Sequence, residues 1–160
     1  MRAKCVKYGN DISTDLIIAG KYTKTLNLKD LADHAMEDLD PRFHERLGEE
    51  GIVVAGSYFG CGSSREQAPV ALRESGVKCV IAKSFSRIFY RNAVNIGLPI
   101  FECDTDPIHD GDELEFDLAS DVILDVTTGE RLPVSPLPEI MVEILRDGGI
   151  VPHFKKKGGF

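Results

Sequence analysis

Six consecutive residues, Gly60-Cys61-Gly62-Ser63-Ser64-Arg65, bring together two glycines, two hydroxyls and a guanidinium. They follow an apolar strand-like run, Ile52-Val53-Val54-Ala55, and precede a helical pattern through Val70, Ala71 and Leu72, so the segment reads as a strand-to-helix turn. Glycine lets a backbone approach a ligand closely, and unused N–H groups before a helix favour negative charge. Arg65 can grip a carboxylate through two parallel hydrogen bonds. The chemistry these types suit is the binding of a small carboxylic acid. A simpler alternative exists, because Ser63-x-x-Glu66 also fits a capping box that only satisfies helix-end donors. Pro69 speaks against it: a helix starting near Gln67 or Ala68 keeps the proline in the first turn, leaving Gly62–Glu66 as a tight turn with donors to spare.

Other candidates are sparser. Asp15 follows Thr14 at the polar start of an apolar run, Ile12 to Gly20, where an isolated aspartate commonly stabilises a turn. Lys24, in the loop before the next helix, either meets a second carboxylate or packs its stem and points into water. Four cysteines, Cys5, Cys61, Cys79 and Cys103, lack the spacing of a disulfide framework or a C-x-x-C metal site. No metal ligand set is read from the chain. Ser84 and Ser86 suit helix caps, and Cys61 a small filler within the turn.

These residues need a frame to hold them. A length of 160 residues with 42% apolar and 28% charged residues suits one domain over residues 1–160 with a real core. A strand at Cys5–Tyr8 is followed by a helix with Leu28, Leu31, Ala35, Met36 and Leu39 on one face, capped by Asn27, then by a short helix through Phe43 and Leu47. From Ile52 to Glu102 the pattern is strand-helix-strand-helix-strand, and the continuous apolar run Val77–Ala82 reads as a buried parallel strand. Residues 111–134 alternate as a short β-meander whose carboxylates are expected on a solvated face. A last helix runs through Leu137–Leu145, and the tail from His153 is expected to fray. A net charge of −7 and a pI near 5.1 exclude nucleic acid or an anionic membrane as the main partner. No run approaches ~18 apolar residues and the N-terminus lacks a signal-like core, so a cytoplasmic location is expected.

The blocks Asn10-Asp11-Ile12-Ser13-Thr14-Asp15, Gly60-Cys61-Gly62-Ser63-Ser64-Arg65-Glu66, Ala82-Lys83-Ser84-Phe85 and Arg91-Asn92-Ala93-Val94-Asn95-Ile96-Gly97-Leu98-Pro99 resemble, in order, the swivelling domain of the aconitase superfamily. Their spread over nearly the whole chain is similar to the separate small subunits of 3-isopropylmalate dehydratase and homoaconitase. The resemblance implies an α/β fold, a single compact β/β/α swivelling domain with a mixed sheet and flanking helices. It implies a hydro-lyase of leucine biosynthesis that dehydrates and rehydrates a hydroxy acid, active only with a large subunit carrying a [4Fe-4S] cluster, and no cofactor on this chain. It assigns Ser63 as base, Asp15 as support for a histidine of the partner, and Ser64 and Arg65 as substrate contacts, beside Gly62, whose missing side chain lets the backbone come close to the substrate. In the relatives the loop after the Thr-Asp block chooses the substrate's side group, an arginine there going with an acidic group and an apolar residue with isopropyl. Tyr22-Thr23-Lys24-Thr25 departs from both, so homocitrate/homoaconitate or dimethylmalate- and citramalate-like acids stay open beside isopropylmalate, with Lys24 the side-group candidate. A different class, a non-catalytic carboxylate-binding regulatory module, fits the same turn. A free-standing serine hydrolase lacks its G-x-S-x-G elbow.

Overall fold

Ile52, Val53 and Val54 are buried on both faces of strand β2 (Gly51–Val54), which is why this run is apolar without alternation. The computed structural model describes residues 1–158. β2 lies between β1 (Arg2–Lys7) and β3 (Val77–Ala82), and β3 pairs with β4 (Ile100–Glu102), all parallel. The other edge of β1 pairs antiparallel with β5 (Glu113–Glu115), which continues into β6 (Val122–Asp125) and β7 (Arg131–Pro133). The result is one seven-stranded mixed sheet in the order β4-β3-β2-β1-β5-β6-β7.

Period-two alternation divides the core. Val6, Val53, Val80 and Ile100 face helices α4 (Gln67–Glu74) and α5 (Arg87–Asn95), meeting Ala71, Leu72, Phe89 and Ala93. Cys5, Ile52, Val54, Ile81 and Phe101 face the opposite way and pack with Leu114, Ile123 and Leu132 of β5–β7. The sheet therefore curls as a half-barrel, with its antiparallel half serving as part of the second layer. Helix α1 (Thr14–Ile17) is a single turn capped by Ser13, whose hydroxyl accepts from the Leu16 amide. Helices α3 (Phe43–Leu47) and α6 (Glu139–Arg146) form close to where periodicity places them. No helix of the described residues is long and apolar enough to cross a membrane.

Three expectations need correction. The helix read over Leu28–Leu39 is regular only as α2 (Leu28–Asp33), although Asn27 caps it as expected by accepting from the Lys29 amide. Met36 takes φ +60 and gives its amide to the Ile17 carbonyl at 2.7 Å, so a tertiary bond to α1 replaces the next helical turn. The tail from His153 is ordered as α7 (Ile150–Lys156), with His153 buried and its Nδ1 2.8 Å from Asp147 Oδ2; Gly159 and Phe160 lie outside the described residues. In the meander, Asp112 and Asp125 are buried rather than solvated, because their carboxylates accept the His109 and Thr128 amides and so close turns from inside.

Candidate functional site

The turn after β2 and the turn after β3 meet at the carboxyl ends of the parallel strands, where open α/β sheets gather ligands. Phe59 bridges to Phe85, and the Ser86 amide donates to the Phe59 carbonyl at 2.9 Å. Ser86 also caps α5 by accepting from the Phe89 amide, while its hydroxyl donates to the Gly60 carbonyl at 2.8 Å. Ser84 takes the Tyr58 amide on its Oγ at 2.8 Å. Both serines are thus structural, but only Ser86 is the helix cap the sequence suggests; Ser84 instead fastens the turn at Tyr58.

Gly60 and Gly62 have φ of +80 and +90, values that L side chains rarely adopt. At Gly60 space also forbids a side chain, since a Cβ would stand 2.3 Å from Phe89 Cβ. One side of the turn is fastened to the segment around α1. The Gly60 amide donates to the Ile12 carbonyl at 2.7 Å, the Thr14 amide to the Cys61 carbonyl at 2.9 Å, and the Thr14 hydroxyl to the Ser63 carbonyl at 2.7 Å.

The other side is open. Glu66, not Ser63, is the cap residue of α4, and its side chain makes no cap hydrogen bond, so the Ser63-x-x-Glu66 capping box does not form. Among the described residues the amides of Gly62, Ser63, Ser64 and Arg65 find no acceptor, and neither serine hydroxyl has a partner. Ser63 and Ser64 are exposed. Four amides and two hydroxyls therefore face outward beside one cation.

Arg65 is already oriented. Its Nη1 donates to the Ile18 carbonyl at 2.8 Å and its Nη2 pairs with Asp15 Oδ1. The guanidinium side chain is 20% exposed, whereas that of Asp15 is 65% exposed, so Asp15 anchors the arginine while reaching into solvent. Gly20 makes room for this, because a Cβ there would come within 3.3 Å of Arg65 Nη2. The remaining guanidinium N–H groups have no partner among the described residues.

Lys24 is not drawn into this group. It is exposed and forms no hydrogen bond or ion pair with a described residue. Its loop is nevertheless fixed at both flanks. Gln67 Nε2 donates to the Thr23 carbonyl at 3.0 Å, and the Tyr22 ring stacks on His34 with centroids 3.9 Å apart. The Tyr22 hydroxyl donates to Glu37 at 2.9 Å, a bond that raises the phenol's pKa, while the His34 contact first and this hydroxyl second lower that of the carboxylate. A groove of about 570 Å3 runs alongside, lined by Leu26, Leu28, Gln67, Val70 and Val151 among others; Ser63 and Arg65 stand outside it. The structure brings Asp15 against Arg65 within the turn that holds Gly62, Ser63 and Ser64, a contact the sequence did not indicate, and sequence reasoning also missed Thr14 and Gly20 as supports of the turn and Gln67 as the support of the Lys24 loop. A glycine closing the apolar run, Gly20, was the available signal.

The residues present do not fit an iron–sulfur cluster. Among the described residues no group of three or more His, Cys, Asp or Glu could hold a metal ion. Burial pushes the Cys5 and Cys103 thiols up to about 11 and Cys79 higher than its ordinary value, the reverse of what a coordinating thiolate requires.

Fold and site together define a class: an α/β domain presenting a serine turn with unpartnered amides and hydroxyls at the carboxyl ends of the parallel strands of a curled mixed sheet. The Aconitase C-terminal domain family model matches residues 5–103, which span β1 to the residue after β4 and include the whole turn. The chain is 50% identical over 159 residues to the 3-isopropylmalate dehydratase small subunit 2 of Archaeoglobus fulgidus, covering 99% of this chain and 96% of that protein. It is also 50% identical over 157 residues to the 3-isopropylmalate dehydratase small subunit of Methanosarcina mazei, covering 98% and 97%. A crystal structure of 3-isopropylmalate dehydratase from Methanocaldococcus jannaschii superposes with a TM-score of 0.93 at 43% identity, covering 98% of this chain and 94% of that one. The chain belongs to the aconitase C-terminal domain family, within its 3-isopropylmalate dehydratase small subunits.

Proposed function

We propose that this chain is the small subunit of a cytoplasmic 3-isopropylmalate dehydratase, folding over residues 1–160 as one swivelling domain and supplying the serine turn to an active site shared with a larger subunit. The observation that carries this is the outward cluster of unpaired amides and hydroxyls at Gly62–Arg65 beside an arginine oriented from behind.

The reaction removes a weakly acidic proton next to a carboxylate and expels the hydroxyl of the adjacent carbon. An unassisted serine hydroxyl is a poor base at neutral pH, so the exposed Ser63 must first give its own proton to solvent, and it works as a base only if the alkoxide so formed is stabilised. The free amides of the turn do this, as donors fixed before charge develops rather than recruited when it does. Ser64 and the unused N–H groups of Arg65 hold the substrate carboxylate, and Gly62 keeps the backbone close enough to reach it. Asp15 fixes Arg65 through Oδ1 and offers Oδ2, which has no described partner, to a histidine of the larger subunit. The Lewis acid for the departing hydroxyl is assigned to that subunit as a [4Fe-4S] cluster.

Reconstitution with the large subunit and a panel of hydroxy di- and tricarboxylic acids tests the reading. Ser63→Ala is expected to lose about 10²–10⁴ in kcat with little change in KM. Turnover that survives the substitution, or a loss of affinity alone, would mark the turn as a carboxylate sensor instead. Within the same panel, a Lys24→Ala loss confined to tricarboxylic acids assigns Lys24 to the side-group pocket, and an unchanged panel leaves it to solvent.

A further inference from the structure

We propose that Thr14 is a positioning residue that aims the Ser64 amide at the charge developing on Ser63; the inference rests on the reading of Ser63 as the base.

Thr14 is 3% exposed and sits behind the turn, on the face away from solvent. Its hydroxyl donates to the Ser63 carbonyl at 2.7 Å. Its amide donates to the Cys61 carbonyl at 2.9 Å, and its own carbonyl accepts the Ile18 amide at 2.9 Å. Thr14 thus grips the turn on both sides of Gly62, the residue at φ +90, and the position of a Gly62 Cβ would lie 3.8 Å from Thr14 Oγ1.

Peptide geometry converts this grip into a direction. The Ser63 carbonyl and the Ser64 N–H belong to one planar trans peptide, so they point to opposite sides of it. A hydroxyl that draws the carbonyl inward turns the N–H outward, and the Ser64 amide does lack an acceptor among the described residues. Without that hydroxyl the plane can rotate about the flanking φ and ψ, and the amide becomes a donor that must be reoriented during the reaction. The consequence falls on turnover rather than on binding, because the charge it meets is that of the Ser63 alkoxide, which must form before the substrate proton is taken and is neutralised when it is.

The test uses the reconstituted two-subunit enzyme, normalised to active sites, with thermal melts run alongside. Ser63→Ala is measured first. If it turns over normally, the reading of Ser63 fails and this inference fails with it. If it is inactive, Thr14→Val, which keeps the shape and removes the donor, is expected to lower kcat about tenfold to a hundredfold with KM within about twofold. Thr14→Ser, which restores a hydroxyl, is expected to recover kcat to within about threefold of wild type. Thr14→Ala replaces Thr14→Val in the comparison should valine prevent folding. A Thr14→Val enzyme with kcat within about twofold of wild type overturns the inference, as does a loss that Thr14→Ser does not repair, since a void behind the turn would then explain it.

Discussion

Replacing Gly60 by alanine should cost more stability than its backbone angle alone accounts for. Gly60 and Gly129 share φ +80, but a Cβ at Gly129 would find nothing within 4 Å, whereas one at Gly60 would stand 2.3 Å from both Cβ and Cγ of Phe89. The left-handed conformation costs an alanine about 1–2 kcal/mol at either position. At Gly60 the collision adds about 1–3 kcal/mol, the usual penalty of forcing extra volume into a packed core. Phe89 has little freedom to withdraw, because it is 2% exposed and its ring meets Phe59 edge-on with centroids 5.2 Å apart. For a chain of this size about 1 kcal/mol moves the melting temperature by about 2–4 °C. Gly129→Ala should therefore melt about 2–8 °C below wild type and Gly60→Ala about 4–20 °C below, by calorimetry under one buffer. Because Gly60 lies three residues before Ser63, turnover of reconstituted Gly60→Ala should fall even below its melting transition, and that of Gly129→Ala should not. If the two variants melt together, close packing of the turn on α5 is not what shapes the site.

The thiols make a separate prediction. Burial pushes Cys5 and Cys103 to about 11 and raises Cys79 well above its ordinary value, while Cys61 lies half-buried in the open turn, so iodoacetamide at neutral pH should alkylate Cys61 well before the others; peptide mapping that finds Cys5 or Cys79 modified first would contradict the burial argument. The Asp112–Asp125 pair makes a prediction about pH. Burial, and then the Asp112 carboxylate, raise Asp125 above 3.8, and Asp125 Oδ2 has no donor among the described residues. A raised carboxyl contributes stability that is complete below 3.8 and lost as pH rises through its folded value, so at pH 7 Asp125 weakens the fold. Asp125→Asn supplies an N–H toward Asp112 and should raise the melting temperature at pH 7 by about 2–4 °C, for about 1 kcal/mol, with the gain shrinking toward pH 4. No gain at pH 7 would show that the pair is relieved by another route.

What the sequence made legible follows the range of the forces involved. The strands β2 and β3, the helices α4 and α5, the Asn27 and Ser86 caps and the Gly60/Gly62 turn are encoded within a few residues of where they act, by alternation, apolar runs and cap chemistry. The errors arose where a distant partner decides the local conformation. Met36 leaves the helix because Ile17 offers a carbonyl, and His153 is held because Asp147 and the α6–α7 corner bury it. Neither partner can be inferred from helical periodicity. The same limit governs the site. Ser63, Ser64 and Arg65 are singled out as candidates by their own neighbourhood, but Thr14 contacts Ser63 across 49 positions of sequence and Asp15 meets Arg65 across a similar span.

That division has a physical basis in how the two halves of such a site are selected. The turn must expose donors, which calls for residue types that are unusual anywhere else: paired glycines, adjacent hydroxyls, a cation before a helix. Its supports must do the opposite and satisfy polar atoms out of sight, which a threonine in an apolar run or a glycine at the end of one does without any departure from ordinary composition. Thr14 is 3% exposed and Ser63 is exposed, yet one hydrogen bond of 2.7 Å makes the orientation of the second depend on the first. The motif is therefore visible in residue types, while the hydrogen bonds that fix its backbone come from buried residues that only the folded chain identifies.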